Sequence, residues 1–176
     1  MPNWVTNKGI ITGDKETIDK IFDLITSDDN QFDFNRIIPE PLCKEECNPK
    51  YYKTDNDLIQ VDNDRPWFNW YDWHCDNWGT KWNSCDAFID HSLDTGIGVL
   101  FDTAWSFPSP IWTKLAHMFP SATFDIKFAD EDLGNNCGYF RAECGNIDLQ
   151  WVDTLDFACD VLGYSKEDLA DWGYDV

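Results

Sequence analysis

Five tryptophans fall between Trp67 and Trp82, half of the ten in the chain. No other stretch restricts the fold so strongly. Each buried indole removes roughly 150–250 Å² from water and needs partners to pack against. Read at helical spacing, Trp67, Trp70, Tyr71, His74, Trp78 and Trp82 share one stripe, while Asn69, Asp72, Asp76 and Asn77 lie off it. Gly79 stands where a helix ending near Trp78 needs a left-handed residue. The spacing predicts a short aromatic-faced helix over 66–78, then a turn into a strand. Core packing is the plain reading of such a stripe. Stacking on a nucleobase or a sugar is the sharper one. A nucleic-acid groove needs cations along the backbone, and here Lys81 stands beside Asp72 and Asp76.

The remaining elements follow from periodicity. Residues 3–12 alternate as a strand with Trp4, Thr6 and Ile10 on one side. Asp14 caps a helix over 14–27 whose stripe is Ile18, Ile21, Phe22 and Ile25. Residues 32–39 read as extended, and 40–65 as a polar, proline-bearing loop. Cys85 to His91 and Ile97 to Trp105 are strands joined by a turn at 93–96, the second apolar enough to be central. Ser109 is the expected N-cap of a helix opened by Pro110, with Ile111, Trp112, Leu115, Ala116 and Phe119 buried. Phe124, Ile126 and Phe128 alternate inward against Asp125 and Lys127. A hairpin around 145–146 follows, then a helix over Leu155 to Leu162, and a last helix capped by Ser165 and Asp168.

With the insertion set aside, this order is β-α-β-β-α-β, the split βαβ arrangement of an α+β ferredoxin-like sandwich. The term names a topology, because the cysteine spacing matches no iron–sulfur pattern. The 176 residues suit one domain. Residues 1–39 and 80–130 form its core, 40–79 an insertion with the aromatic helix, and 131–176 an appended hairpin and helices.

Charge narrows the function. The chain carries 33 acids against 13 bases, a net −20. Direct binding to nucleic acid or to an anionic membrane needs the opposite sign. The candidate acidic surface is broad: Asp55, Asp57, Asp62 and Asp64; Asp125, Asp130, Glu131 and Asp132; Asp153, Asp156 and Asp160; Glu167, Asp168, Asp171 and Asp175. Such a surface confers solubility, or it presents phosphate-like charge to a basic groove on another protein. No run of about 18 apolar residues is present, and the start lacks a secretory pattern, so a cytoplasmic protein is expected. Seven cysteines are an odd number, and reduced thiols are the expectation there. Cys43, Cys47, Cys137 and Cys144 form a weak candidate zinc set without the usual paired spacing.

Four stretches carry a resemblance: Met1-Pro2-Asn3-Trp4, the run from Phe32 to Pro39, Trp70 to Trp73 with Asn77-Trp78-Gly79-Thr80-Lys81-Trp82-Asn83, and Trp105 with Pro108 and Pro110. Together they resemble the YubB ferredoxin-like family, small proteins of plasmids, phages and genomic islands, over about residues 1–150. The resemblance implies the ferredoxin-like core and a bacterial mobile-element setting. It transfers no catalytic residue, because the family brings no established activity.

Enzyme chemistry finds little purchase. His74 adjoins Cys75, but helix neighbours point about 100° apart, and a nucleophile needs its base within reach. Lys81, a cation among indoles, is the best candidate by chemistry. Its structural reading is a cation–π or ion-pair staple onto Trp78, Trp82 or a nearby Asp. Trp70, Asp72, His74, Trp78, Lys81 and Trp82 are therefore the candidate ligand or partner residues. The expected function is a non-enzymatic, cofactor-free acidic protein that binds a protein partner as a nucleic-acid mimic. The alternative is a small-ligand-binding protein or an enzyme with a pocket beside the aromatic helix. Oligomeric state is open.

Overall fold

The structure is a computed structural model and describes residues 2–40, 51–53, 58–60 and 70–173. Its centre is strand β1 (Trp4–Thr12), paired antiparallel with β5 (Gly96–Ala104) on one side and β6 (Thr123–Asp130) on the other. β4 (Cys85–Leu93) lies outside β5, while β7 (Gly138–Glu143) and β8 (Asn146–Trp151) continue beyond β6. The sheet order is β4-β5-β1-β6-β7-β8. Its first four strands have the ferredoxin-like arrangement, each crossover joining parallel strands with one antiparallel strand between them. The third segment is not an appendage: the β7–β8 hairpin extends the same sheet.

One face of the sheet holds the core. Val5 and Ile11 point there from β1, Ile97, Val99 and Phe101 from β5, and Phe124, Ile126 and Phe128 from β6, all buried. Trp4, Thr6 and Ile10 do share a side of β1, and it is the opposite one. Helices α1 (Lys15–Ile25) and α4 (Ser109–Met118) cover the core face. Asp14 caps α1 by accepting the Thr17 N–H at 3.0 Å, and Ile18, Ile21 and Ile25 are buried. For α4 the N-cap is Pro108 rather than Ser109, which is already helical and supplies no side-chain cap.

Two further expectations change. Residues 32–39 are not all extended: Phe34–Ile37 make a helical turn, α2. Asp33 accepts the Asn35 N–H at 3.0 Å, so its side chain caps a turn that periodicity could not reveal. Within the presumed loop, Tyr51–Lys53 (β2) and Leu58–Gln60 (β3) pair as a small hairpin. The aromatic helix α3 is described over Trp70–Asn77. Trp67 and the start expected at Pro66 lie outside the described residues, as do Cys43, Cys47, Asp55, Asp57, Asp62, Asp64 and Asp175.

Helix α5 (Leu155–Leu162) packs against the other face of the sheet, where Ala129 meets Ala158 and Val161. Gly163 closes α5 in the left-handed region, and α6 (Lys166–Asp171) opens with a Ser165–Asp168 capping box. The β7–β8 turn falls on Cys144 and Gly145, at φ 50° and 77°, the two positive values of a type I′ turn. Among the described residues no helix is long and apolar enough to cross a membrane.

Candidate functional site

The aromatic stretch divides into a buried half and a surface half. Trp78 is 1% exposed, meets Phe34 edge-on, and donates its indole N–H to the Ile38 carbonyl at 2.8 Å. His74 stacks flat on Trp78, with ring centres 3.9 Å apart. Its Nδ1 lies 2.8 Å from the Lys81 carbonyl and so carries the proton. Its Nε2 faces Glu40 at 3.5 Å. Both ring nitrogens are thus directed away from Cys75, and the pair is no nucleophile–base couple. Trp70 is exposed, edge-on to Tyr71 and His74, and Asp72 is half-buried on the same helix.

Gly79 ends the helix at φ 78°, with Pro110 so close that a Cβ would lie 2.7 Å from its ring. The polar residues after it form a clip. Thr80 donates to the Ala104 carbonyl at 2.7 Å. Asn83 accepts the Phe34 N–H at 2.9 Å and donates to Asp33 at 2.8 Å. Ser84 donates to the Phe32 carbonyl at 2.6 Å. The Asn77–Asn83 signature is therefore first a structural device, tying α2 and the end of β5 to the aromatic helix.

Lys81 is the residue left at the surface. Its ammonium lies 4.4 Å from the Trp82 ring centre and 4.7 Å from that of Trp105. Trp4 packs tilted against Trp82 at 5.9 Å, and Tyr71 meets Trp105 edge-on at 6.0 Å. Partial burial, then the nearby Cys75, pushes the Tyr71 hydroxyl above its ordinary range. The expected contact with Trp82 is present. Trp105 takes the place anticipated for Trp78, whose ring is engaged inside. The sequence signal for Trp105 was weak, since it reads as the last residue of a strand. It sits at φ 75°, a conformation that costs a bulky residue about 1–2 kcal/mol. Two hydrogen bonds hold it there: its N–H donates to the Asn3 carbonyl at 2.9 Å, and Asn136 donates to its carbonyl at 3.0 Å.

Both asparagines also bind Asp130. Expected on the acidic surface, Asp130 is instead 5% exposed and accepts from Asn3, Asn136 and the Asp132 N–H at 3.2, 2.8 and 2.9 Å. The other candidate acids, Asp125, Glu131, Asp132, Asp153, Asp156, Asp160, Asp168 and Asp171, are exposed. Five of them also have structural work, Asp132 by accepting from the Asn135 amide at 3.2 Å. Asp125 pairs with Arg141 and Asp160 with Lys127. Asp153 accepts the Cys137 N–H, and Asp168 completes the α6 cap.

The cysteine set fails on distance. Cys137 precedes the six residues of β7 and Cys144 follows them, so seven strand steps separate the two by about 23 Å. Thiolates sharing a zinc sit about 2.3 Å from the metal. Burial pushes the Cys137 and Cys159 thiols up, which suits inert core sulfur. Among the described residues, no group of three or more His, Cys, Asp and Glu side chains gathers as a metal site.

Comparison with known proteins agrees on the fold. No curated protein matches the chain. A crystal structure of protein api92 from Yersinia pseudotuberculosis is similar over 48% of this chain and 31% of that one, at 13% identity and a TM-score of 0.39. This chain therefore matches less than a third of that protein. The family model described as the ferredoxin-like domain in Api92-like protein matches residues 77–172. That span runs from the end of the aromatic helix through the Lys81 clip, the outer strands and α6, and the chain belongs to this family of Api92-like ferredoxin-like domains.

Proposed function

We propose that this protein is a non-enzymatic acidic interaction module of a bacterial mobile element, acting in the cytoplasm. It binds a basic host or defence protein by presenting carboxylates where that partner expects phosphates. The likeness to the YubB family supports the mobile-element setting.

The observation that carries this reading is where the cations go. Lys15 pairs with Asp94 and Asp19, Lys20 with Glu16, Lys127 with Asp160, and Arg141 with Asp125. Arg36 donates to the Leu24 and Asp23 carbonyls at the end of α1. Lys81 is held between two indoles. These cations are partnered within the chain at its surface, and with 33 acids to 13 bases the excess of carboxylates faces solvent uncompensated. Such a field steers a basic partner and repels other acidic proteins.

Immobilised protein should retain a basic, nucleic-acid-handling protein from bacterial lysate at low salt. Duplex DNA should compete for that partner, and raising salt should release it as the Debye length falls below about 10 Å. If nothing basic is retained, or if DNA fails to compete, the mimicry reading is wrong.

A further inference from the structure

The two edges of the sheet are built differently. On β4 the pairing is broken by register shifts between Cys85 and Phe88 and between Asp90 and Leu93. Gln31 accepts the Ile89 N–H at 3.1 Å, and Asp90 accepts that of Ser92 at 2.9 Å. Bulges and side chains that occupy backbone donors are how proteins blunt an edge.

Among the described residues β8 has neither device. It pairs with β7 in unbroken register from Asn146 to Trp151, with no proline and no lysine. Val152 donates to the Cys137 carbonyl at 2.8 Å. By the alternation of an antiparallel ladder, Asn146, Asp148 and Gln150 also point their backbone groups at β7, and those of Ile147, Leu149 and Trp151 point outward. The same three side chains lie on the core side: Ile147 and Leu149 pack half-buried on the core, and Trp151, 55% exposed, meets Phe128 edge-on. Asp148 stands on the other face, across from Arg141, whose guanidinium pairs with Asp125, and accepts from the Gln150 amide at 2.8 Å. Residues 142–165 contain Glu143, Asp148, Asp153, Asp156 and Asp160 and no Lys or Arg.

Resting on the reading above, we propose that the outer edge of β8 is the docking site, and that it takes an extended segment of the basic partner as a seventh strand. The segment alternates apolar residues with Lys or Arg. Its apolar side chains cover Ile147, Leu149 and Trp151, and its cations lie beside Asp148 on the opposite face. Main-chain hydrogen bonds give the affinity and the alternation gives the register. A second copy of this chain is disfavoured as the occupant. It would bring its own net −20 and a second Asp148 to the same edge.

The test uses the full chain and a short synthetic peptide of alternating lysine and valine. A control of equal charge has proline at every second valine and cannot pair. Binding is read by fluorescence anisotropy, and the Ile147, Leu149 and Trp151 amides by hydrogen exchange. The alternating peptide should bind about tenfold more tightly than the control and slow exchange at those amides. Leu149→Pro removes one outward N–H and should abolish that preference. Asp148→Lys, a surface change, should weaken the alternating peptide about tenfold with exchange in β1 and β6 unchanged. Equal binding of both peptides with no protection in β8 overturns the edge site while leaving the acidic reading standing. If neither peptide binds at low salt, both fall. Protection of the same amides without peptide, in a chain that sediments as a dimer, replaces the partner by a second copy and overturns the proposal.

Discussion

The Lys81 ammonium lies 4.7 Å from the centre of the Trp105 indole, a ring carried on a left-handed backbone. The strained residue and the cation position each other, and Trp82 closes the other side at 4.4 Å. Lys81→Met keeps the apolar stem and deletes only the charge. It should lower unfolding free energy by about 0.5–2 kcal/mol, the range for a partly desolvated cation–π contact. Urea denaturation followed by tryptophan fluorescence measures it. No change would mean that the two rings hold each other without the cation.

Asn83 carries the clip. Its carbonyl accepts the Phe34 and Ser84 N–H groups, both at 2.9 Å, while its amide donates to Asp33. Asn83→Ala should cost about 2–3 kcal/mol, because buried donors on both sides lose their partner. Asn83→Asp keeps the acceptor but sets a carboxylate against Asp33. It should be worse than alanine at pH 7 and recover in acid, as followed by thermal melts across pH.

Asp130 offers a test of the opposite kind. A buried carboxylate carries a desolvation cost that neutralising it removes. Here both carboxylate oxygens accept, Oδ2 from the Asn136 amide at 2.8 Å and Oδ1 from Asn3 and Asp132. Asp130→Asn puts one amide against another, so it should destabilise by about 1–3 kcal/mol. Exchange at the Trp105 amide should rise with it.

Gly138 lets β8 approach. A Cβ there would clash with the Gln150 carbonyl oxygen. Gly138→Ala should cost about 1–3 kcal/mol, as overpacking does. The loss should concentrate in β8, with its amides exchanging faster than those of β1.

Stability should be greatest in mild acid. Asp14 is held below its ordinary value by the Thr17 N–H, Asp168 by Ser165, Asp94 by Lys15 and Asp160 by Lys127. A lowered folded value gives stability above the ordinary value of 3.8 that is lost as pH falls through the folded one. Asp102 is the reverse: burial raises it. Its contribution is present below 3.8 and lost as pH rises through the raised value. Self-repulsion at net −20 also relaxes toward the pI near 4.1. The melting temperature should therefore rise from pH 7 toward pH 5 (roughly) and fall again below about 3.5. Asp102→Asn keeps the acceptor for Thr6, 2.8 Å away, and should raise the melting temperature at pH 7.

How much of this was legible depended on how local the cause is. The Asp14 cap, the α1 stripe, the inward Phe124, Ile126 and Phe128, the Gly79 stop and the Ser165–Asp168 box are decided within a few residues, and all stand where periodicity and capping put them. The element order was enough for the ferredoxin-like class. Helix α2 escaped because four residues are too few to show a helical period, although its Asp33 cap is local; the clip from Asn83, 50 residues away, exists only in the fold. Asp130 looked like its exposed neighbours, because only the fold brings Asn3 to it.

The sequence by itself determined the class of fold, the indole-rich centre and the sign of the surface, since hydrophobic period, capping chemistry and charge are properties of neighbours along the chain. Tertiary structure alone decided which tryptophans grip Lys81, that Asp130 is buried, that β7 and β8 complete the main sheet, and that β8 is its last strand among the described residues. Those outcomes depend on pairing between distant segments, and their register is set by closure of the whole sheet around β1.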